Sequence, residues 1–392
     1  MAGTIDREGS RMSLSQSSTL VETGFGPVAD AFAKTISDNT STGASLSIWI
    51  DGAPVVEIAA GTANRKTRQP FGLDTLATVY SCTKGLATIV VGRLLQDGRL
   101  PSLDTPITAV WPEFGAHGKG AATIGDALAH RAGVPAPRAE VDPVAALDEL
   151  WVADLLAAQE PLWDVPKHHN YHAITHGSIT GKLVHNATGQ SLGTVFRREI
   201  AEPLGADTWI GLPEEEDGRV AWIVDETTPP APDPEVDRDT AYWAERIGGF
   251  LGPLPLRGAV DVPPFHRYEL SGVSGTSTAS GLARIYSATV VDTNGVRLLE
   301  PGTVEALRAE RSSGVPYFVT GPAPYQSFGA GFMIQSDWDP YLSARSFGHD
   351  GAGGQVAFAD IDAKLGFAYV TNEWGDWQRG IAVTRALADV LG

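Results

Sequence analysis

The chain has 392 residues, of which 43% are hydrophobic and 19% are charged, and its formal net charge is -18. This length can hold one large domain or two, with a sizeable buried core. The acidic balance argues against nucleic acid or an anionic membrane surface as the main partner, since both need a basic patch. Cys82 is the single cysteine, which excludes an intrachain disulfide.

The first residues, MAGTIDREGSRMSLSQSS, are polar and include acidic side chains. They lack the apolar stretch that a secretory signal peptide carries. The sequence has no run of 18 uninterrupted apolar residues, the length typical of a membrane-spanning helix. We therefore expect a cytoplasmic protein, and no pattern indicates an oligomeric state.

Periodic patterns of apolar residues predict helices and strands through most of the chain. Asp51-Gly52 separates two β-rich runs within 44–61 and predicts a hairpin turn. The stretch 354–374 alternates like two antiparallel strands. Helices are predicted at 25–39, 81–97 with Gly98 as the residue after the helix, 123–133, 148–160, 276–290 and 379–392, and two more within 171–205 joined at Gly189.

Strand-rich segments flank a helical middle, which predicts one antiparallel sheet built from both ends of the chain. We expect an α/β (α+β) sheet domain from residues 20–115 and 275–392, with a mainly helical region inserted at 116–274. Residues 213–270 are Pro-rich and charged. This composition predicts a long irregular insertion that covers the surface or a site.

Ser81-Cys82-Thr83-Lys84 begins the most apolar of the predicted helices. A serine at a helix start is also a common N-cap, and a Ser-x-x-Lys pair arises easily by chance. An all-apolar helix is usually buried, however, and a lysine in a dry site is driven toward its neutral amine. Such an amine can accept the proton of a neighbouring hydroxyl, so Ser81 and Lys84 are a candidate nucleophile and base. Cys82 points elsewhere on the helix and is interpreted as a small core residue.

Further blocks follow this pair in a fixed order: GRLPSLDTPITAVWPEF (98–114), TIGDALAHRAGVP (123–135), Tyr171 with GKLVHNATGQSL (181–192), and FGHDGAGG (347–354). With these blocks the chain resembles the class C β-lactamase-like serine hydrolases, and among them the family VIII carboxylesterases. The resemblance extends over most of residues 44–392 and leaves the 213–270 insertion uncovered. It implies the β-lactamase/penicillin-binding-protein-like fold, an antiparallel sheet flanked by helices with a mainly helical region.

The resemblance also implies roles for particular residues. Ser81 would be the nucleophile that accepts the acyl group, and Lys84 would hold or shuttle its proton. Tyr171 would act as general base, with its phenol made more acidic by Lys84.

The late block would supply the opposite side of the site. His349 and Gly351 would lie across the cleft, and the Ala352 backbone N–H would join that of Ser81 in binding the oxyanion. No cofactor is implied. His168, His172 and His176 are spaced like ligands on one helix, but Pro166 predicts that the helix begins near Tyr171, and we expect no metal site.

Two departures from the family pattern favour esters over β-lactams. Ala173 stands where relatives carry an asparagine that binds the substrate amide, and His349-Asp350 replaces the Lys-Thr of the Lys-Thr-Gly motif. Candidate walls of an apolar acyl pocket are Trp151, Trp163 and Trp209. The expected activity is hydrolysis of small carboxylic esters through an acyl-Ser81 intermediate.

Three alternatives stay open at this point. One is an amide-cleaving relative, such as a β-lactamase, a D-amino-acid peptidase or an oligoamide hydrolase. Another is an acyltransferase, in which an alcohol replaces water. The third is a non-catalytic binding protein, which the intact Ser-x-x-Lys and tyrosine argue against.

Overall fold

A computed structural model describes residues 19–36, 41–225, 234–249, 265–375 and 377–392. The strands are β1 (Leu20–Val21), β2 (Gly43–Ile50), β3 (Ala53–Asn64), β4 (Gln69–Pro70), β5 (Ala77–Thr78), β6 (Thr208–Trp209), β7 (Thr276–Ser277), β8 (Met333–Ile334), β9 (Ser346–Gly351), β10 (Gln355–Asp360) and β11 (Leu365–Thr371).

The α-helices are α1 (Gly26–Thr35), α2 (Cys82–Gln96), α3 (Ile124–Leu128), α4 (Glu149–Ala158), α5 (Thr175–Thr188), α6 (Leu192–Phe196), α7 (Glu202–Leu204), α8 (Arg238–Gly249), α9 (Ala279–Val290), α10 (Pro301–Arg308) and α11 (Gln378–Leu391). 3₁₀ segments occur at Ile107–Ala109, Pro112–Ala121, Ala145–Leu147, Glu214–Arg219 and Phe265–Arg267. A π-helical turn occurs at Arg197–Ala201.

The main sheet combines strands from both ends of the sequence. Its order is β1-β3-β2-β11-β10-β9-β8, with β4 paired to β3, and every pairing is antiparallel. Strand β11 lies between β2 and β10, so the early hairpin and the late strands meet there. The three-stranded sheet β5-β7-β6 is separate and leads into helix α2. An antiparallel sheet assembled from both ends of the chain is what the sequence predicted.

The predicted hairpin turn is confirmed. Asp51 and Gly52 connect β2 to β3, and both have positive φ, at 50° and 80°. Two central residues with positive φ match the twist of the paired strands, and glycine adopts this region at no steric cost. The turn sets the pairs nearest to it, and the register of β2 and β3 then shifts between Ile48 and Trp49.

Helices cover both faces of the main sheet. On one face, α9 packs against β11 and β2, and α2 packs against β9. On the other face, α1 and α11 contact each other, and the core contains Val28 and Phe32 from α1 together with Leu46 and Ile48 from β2. Each face buries a separate apolar cluster, which is how a two-sided sheet removes its apolar surface from water.

Helix α2 is buried along almost its whole length, as its apolar sequence predicted. It ends at Gln96, and Gly98 follows with φ at 70° and donates its N–H to the Leu95 carbonyl. The helix therefore lies inside the protein, and the side chains in its first turn are removed from bulk water.

Three predicted elements differ from the structure. The helix expected at 123–133 ends at Leu128, because His130 takes a left-handed backbone conformation with φ at 65°. The helix expected near Tyr171 begins only at Thr175. The segment 213–270 is not simply irregular, since its described part contains helix α8, in which Trp243 and Ile247 are buried.

In the part of the chain that the structure describes, each helix is too short or too polar to cross a bilayer.

Candidate active site

Ser81 lies at a sharp turn between β5 and α2. Tyr80, just before it, has a left-handed φ of 46°, which is uncommon for a residue other than glycine. The Ser81 side chain makes no capping hydrogen bond to any described residue of the helix. The interpretation of Ser81 as a simple N-cap is therefore wrong, and its hydroxyl is available for other contacts.

Lys84 is fully buried one turn into α2. Its Nζ lies 3.0 Å from Ser81 Oγ, 2.6 Å from the Ala173 carbonyl oxygen and 2.8 Å from the Gly272 carbonyl oxygen. Burial lowers the pKa of the lysine from 10.5 to about 7. The dry environment predicted from the apolar helix is confirmed.

The contacts of Lys84 can be satisfied in both protonation states of its amine. A neutral amine has two N–H donors and one lone pair, whereas an ammonium has three donors and no acceptor. The carbonyl oxygens of Ala173 and Gly272 accept two N–H bonds in either state. The ammonium donates its third N–H to Ser81 Oγ, whereas the neutral amine turns its lone pair to this atom and can accept the hydroxyl proton.

The Gly272 carbonyl is held in place by contacts that no sequence motif indicates. The Ser271 N–H and hydroxyl donate to the Glu149 carboxyl at 2.7 and 2.8 Å. Helix α5 approaches this segment so closely that a Cβ on Gly177 would lie 2.2 Å from the Gly272 nitrogen. Burial raises the pKa of Glu149 to about 8, although both bonds from Ser271 lower it.

Tyr171 lies just before α5 and contacts both members of the pair. It hydrogen-bonds the Ser81 side chain, and its ring centroid is 5.0 Å from Lys84 Nζ. Its ring stacks on Phe328 with centroids 5.7 Å apart and planes 10° apart. The structure thus brings together the three residues predicted to be catalytic.

The predicted acidification of Tyr171 is wrong. Burial raises the pKa of the phenol above its ordinary value of 10, and the hydrogen bond with Ser81 only partly opposes this. Lys84 does not lower the pKa of Tyr171, because its own pKa is only about 7 and it carries little charge above that pH. Tyr171 therefore keeps its proton at neutral pH.

At Gly351 the segment 347–354 lies directly against the turn that carries Ser81. A Cβ at Gly351 would lie 2.3 Å from the Val79 carbonyl oxygen, so only glycine allows this approach. The backbone N–H groups of Ser81 and Ala352 donate to no backbone or side-chain acceptor among the described residues. Their binding of an oxyanion stays a prediction.

His349 is fully buried beneath Tyr171, with the two ring centroids 6.1 Å apart. Its Nδ1 lies 2.7 Å from the Asp350 carbonyl oxygen. Burial, reinforced by Lys84, holds the pKa of the imidazole well below 6.5, so it is neutral at physiological pH. A direct contact of His349 with substrate stays a prediction.

The spaced histidines do not share a helix. His168 and His172 precede α5, and only His176 lies on it, with its Nε2 3.1 Å from the Leu128 carbonyl oxygen. His130 packs against His176, with ring centroids 4.8 Å apart. In the described ranges, His, Cys, Asp and Glu side chains form no group of three or more that could hold a metal ion.

Asp350 forms a buried acidic pair with Asp339. Tyr341 donates its hydroxyl to Asp350 Oδ1 at 2.9 Å. Burial raises the pKa of both aspartates, and the charge of Asp350 raises that of Asp339 further. Two buried carboxyl groups that influence each other in this way do not both ionise easily.

A cavity of about 290 Å³ is lined by Tyr171, and its walls also include Phe328, Trp338 and two α8 residues, Ala244 and Ile247. The three tryptophans predicted as pocket walls do not line it, so that prediction is wrong for this cavity. Trp151 lies partly exposed on α4, and Trp163 is buried outside this cavity. Trp209 packs with Leu76 and Leu212.

Fold and site together define a hydrolase of the β-lactamase fold. The model of the Beta-lactamase family matches residues 28–391, and the chain belongs to this family. The chain is 30% identical over 360 residues to "Esterase/beta-lactamase LipL" of Mycobacterium tuberculosis (strain ATCC 25618 / H37Rv), a match that covers 89% of this chain and 81% of the relative.

Two solved structures resemble the whole chain. EstA from Arthrobacter nitroguajacolicus Rue61a is 30% identical with a TM-score of 0.84, and the match covers 96% of this chain and 99% of EstA. A family VIII carboxylesterase is 29% identical with a TM-score of 0.82, over 95% of this chain and 98% of the other. The predicted fold and the predicted resemblance to family VIII carboxylesterases are confirmed.

Proposed function

We propose that this protein is a serine carboxylesterase that hydrolyses small carboxylic esters through an acyl-Ser81 intermediate. The observation that carries the proposal is the bonding of Lys84, whose two N–H groups are taken by backbone carbonyls while its remaining position faces Ser81 Oγ. This geometry suits proton removal from the serine at neutral pH.

In the proposed acylation, Lys84 takes the Ser81 proton while Oγ attacks the ester carbonyl carbon. Negative charge develops on the carbonyl oxygen, where the Ser81 and Ala352 N–H groups stabilise it. As the C–O bond breaks, Tyr171 gives its proton to the leaving alcohol oxygen. The Lys84 ammonium then returns a proton to Tyr171, which restores both groups.

Deacylation follows the same path with water in place of the alcohol. Tyr171 takes a proton from the water as it passes its own proton to the neutral Lys84 amine, and the water oxygen attacks the acyl carbon. The acid leaves, and Ser81 recovers its proton. The high pKa of Tyr171 suits the transfer of a proton to an alkoxide, because an alkoxide is a strong base.

Three observations support esters over β-lactams. Ala173 offers no side-chain amide to hold a substrate amide. His349-Asp350 stands in place of the Lys-Thr of the family's Lys-Thr-Gly motif, so this block supplies no lysine to pair with a substrate carboxylate. One similar solved structure is named a carboxylesterase, whereas the name of LipL includes both esterase and β-lactamase.

A panel of p-nitrophenyl esters, nitrocefin and D-amino-acid amides tests the proposal, with intact-mass detection of an acyl adduct. We expect ester turnover with an adduct that Ser81→Ala abolishes, while Ser313→Ala, at an exposed serine bonded to Glu310, changes neither. Unchanged ester hydrolysis in Ser81→Ala refutes the mechanism. Nitrocefin turnover at rates comparable to those of esters refutes the preference for esters.

A further inference from the structure

The cavity beside Tyr171 is lined mainly by aromatic side chains and by α8. Ala244 and Ile247 come from α8, and Pro316, Phe318, Tyr325 and Phe328 come from the segment that precedes β8. At about 290 Å³ it has roughly twice the ~150 Å³ volume that accommodates benzene in an apolar protein cavity. It has room for one substituted ring.

The lining carries no fixed charge. None of the described residues around the cavity is Asp, Glu, Lys or Arg. His169 is its one titratable imidazole, and burial, with Arg131 and His168 nearby, lowers its pKa below 6.5. The polar groups at one end, such as Asn170 and Gln326, are neutral amides. The walls therefore suit an uncharged aromatic group, which they can contact edge-on or by stacking.

The position of Tyr171 decides which half of the ester enters the cavity. In the proposed reaction its hydroxyl gives a proton to the leaving oxygen, so that oxygen must lie within hydrogen-bond reach of Tyr171. The group attached to this oxygen extends away from Ser81. Because Tyr171 also lines the cavity, that group is the half of the ester that lies beside the cavity.

Helix α8 is fixed against the rest of the protein. Arg246 donates to the carbonyl oxygens of Pro137 and Ala139 and forms an ion pair with Glu140 at 2.7 Å. The buried Trp243 ring stacks against Phe318, with centroids 6.4 Å apart. These contacts hold Ile247 in place as one wall of the cavity.

We propose that this cavity binds the alcohol part of the ester, that it takes an uncharged aromatic alcohol, and that Ile247 is the specificity-determining residue of its wall. The inference rests on the proposed serine esterase function. It predicts that wild type hydrolyses benzyl acetate with a kcat/KM at least about tenfold above that for ethyl acetate.

Ile247→Trp and Ile247→Ala test the wall in opposite directions. Filling the cavity with Trp should lower the benzyl-to-ethyl ratio of kcat/KM by about tenfold, and Ala should raise the value for 2-naphthylmethyl acetate relative to benzyl acetate. Glu245→Trp adds the same ring on the exposed side of α8 and should leave both ratios unchanged. Circular dichroism and thermal melts establish that each variant is folded.

The results separate this inference from the esterase proposal. Absence of an acyl adduct on Ser81 with every ester refutes the proposed function itself. If the adduct forms but the benzyl-to-ethyl ratio is the same in wild type and both Ile247 variants, the alcohol pocket is wrong. If the variants instead change the preference among p-nitrophenyl acetate, butyrate and hexanoate, the cavity binds the acyl group and the inference is overturned.

Discussion

The buried lysine predicts a steep pH dependence of ester hydrolysis. The working form is the neutral amine, and a proton bound to Lys84 blocks the transfer from Ser81. With its pKa at about 7, roughly one tenth of Lys84 is neutral at pH 6 and nine tenths at pH 8. We therefore expect kcat/KM to rise about tenfold between these values and to level off above pH 8.

Neighbouring groups do not produce the same rise. The imidazoles of His130, His172, His176 and His349 all have pKa values lowered by burial, so they stay neutral across this range. Tyr171 keeps its proton because its pKa is raised. The rise between pH 6 and pH 8 is therefore assigned to Lys84, while the Glu149 carboxyl, with a pKa of about 8, titrates at the upper end of the same window.

The assay is pH-stat titration of phenyl acetate hydrolysis from pH 5.5 to 9, in wild type and two lysine variants. Lys84→Arg keeps a charge that no accessible pH removes, so it should be inactive at every pH. Lys364→Arg changes an exposed lysine paired with Asp51 and should keep the full rise. A flat wild-type profile from pH 6 to 8, or the same rise in Lys84→Arg, refutes the reasoning.

Three more variants probe the groups around this pair. Tyr171→Phe should lower kcat by about a hundredfold or more with little change in KM, because it removes the proton donor to the leaving alcohol. Glu149→Ala should cost ~1–3 kcal/mol of stability, measured by urea unfolding, because it leaves the Ser271 N–H and hydroxyl unpaired. Gly177→Ala should cost ~1–3 kcal/mol and lower kcat, because its Cβ displaces Gly272 from Lys84.

Each of these variants has a matched comparison. For Tyr171, an unchanged kcat in a folded Phe variant contradicts the proton-donor role. Gly302→Ala, on α10 with open space around it, should change stability by no more than ~0.5 kcal/mol. Equal effects of the two glycine substitutions contradict the packing argument.

Glu149→Gln keeps the shape of the Glu149 side chain but removes its titration, so it isolates the effect of this carboxyl group on the pH dependence of stability. The folded protein holds the Glu149 proton up to about pH 8, whereas an unfolded glutamate loses it near 4.5. The folded state thus binds more protons between these values, and this contribution to stability declines as the pH rises through that window. The melting temperature of Glu149→Gln relative to wild type should therefore increase from pH 4.5 to 8. A constant difference across that range contradicts a raised pKa of Glu149.

The sequence predicted the parts of the site that depend on local pattern. The apolar run after Ser81 predicted the buried helix and the dry lysine, and Asp51-Gly52 predicted the hairpin. The sequence did not predict the raised pKa of Tyr171, because burial by Phe328 depends on packing between distant segments.

The support of Lys84 by Gly272 and Glu149 was also missed. A backbone carbonyl leaves no mark in a sequence, and Glu149 lies at a helix start where an acidic residue is ordinary. Helix α8 was missed because the proline-rich composition around it obscured its amphipathic pattern. The prediction of the pocket walls was wrong because it chose tryptophans by residue type alone. The packing of distant segments decides which side chains face a cavity.

The strand order of the main sheet determines when this site can form. Ser81 and Lys84 lie in the first quarter of the chain, but Ala352 lies between β9 and β10, and these strands join the early hairpin only through β11. The segment with Ala352, the proposed second oxyanion donor, is therefore made long after Ser81. Contacts at such long sequence separation also slow folding, because the loops between them must close first. During synthesis, Ser81 and Lys84 are thus present without the N–H group proposed to complete the site, and the proposed activity requires the early hairpin and the late strands to meet.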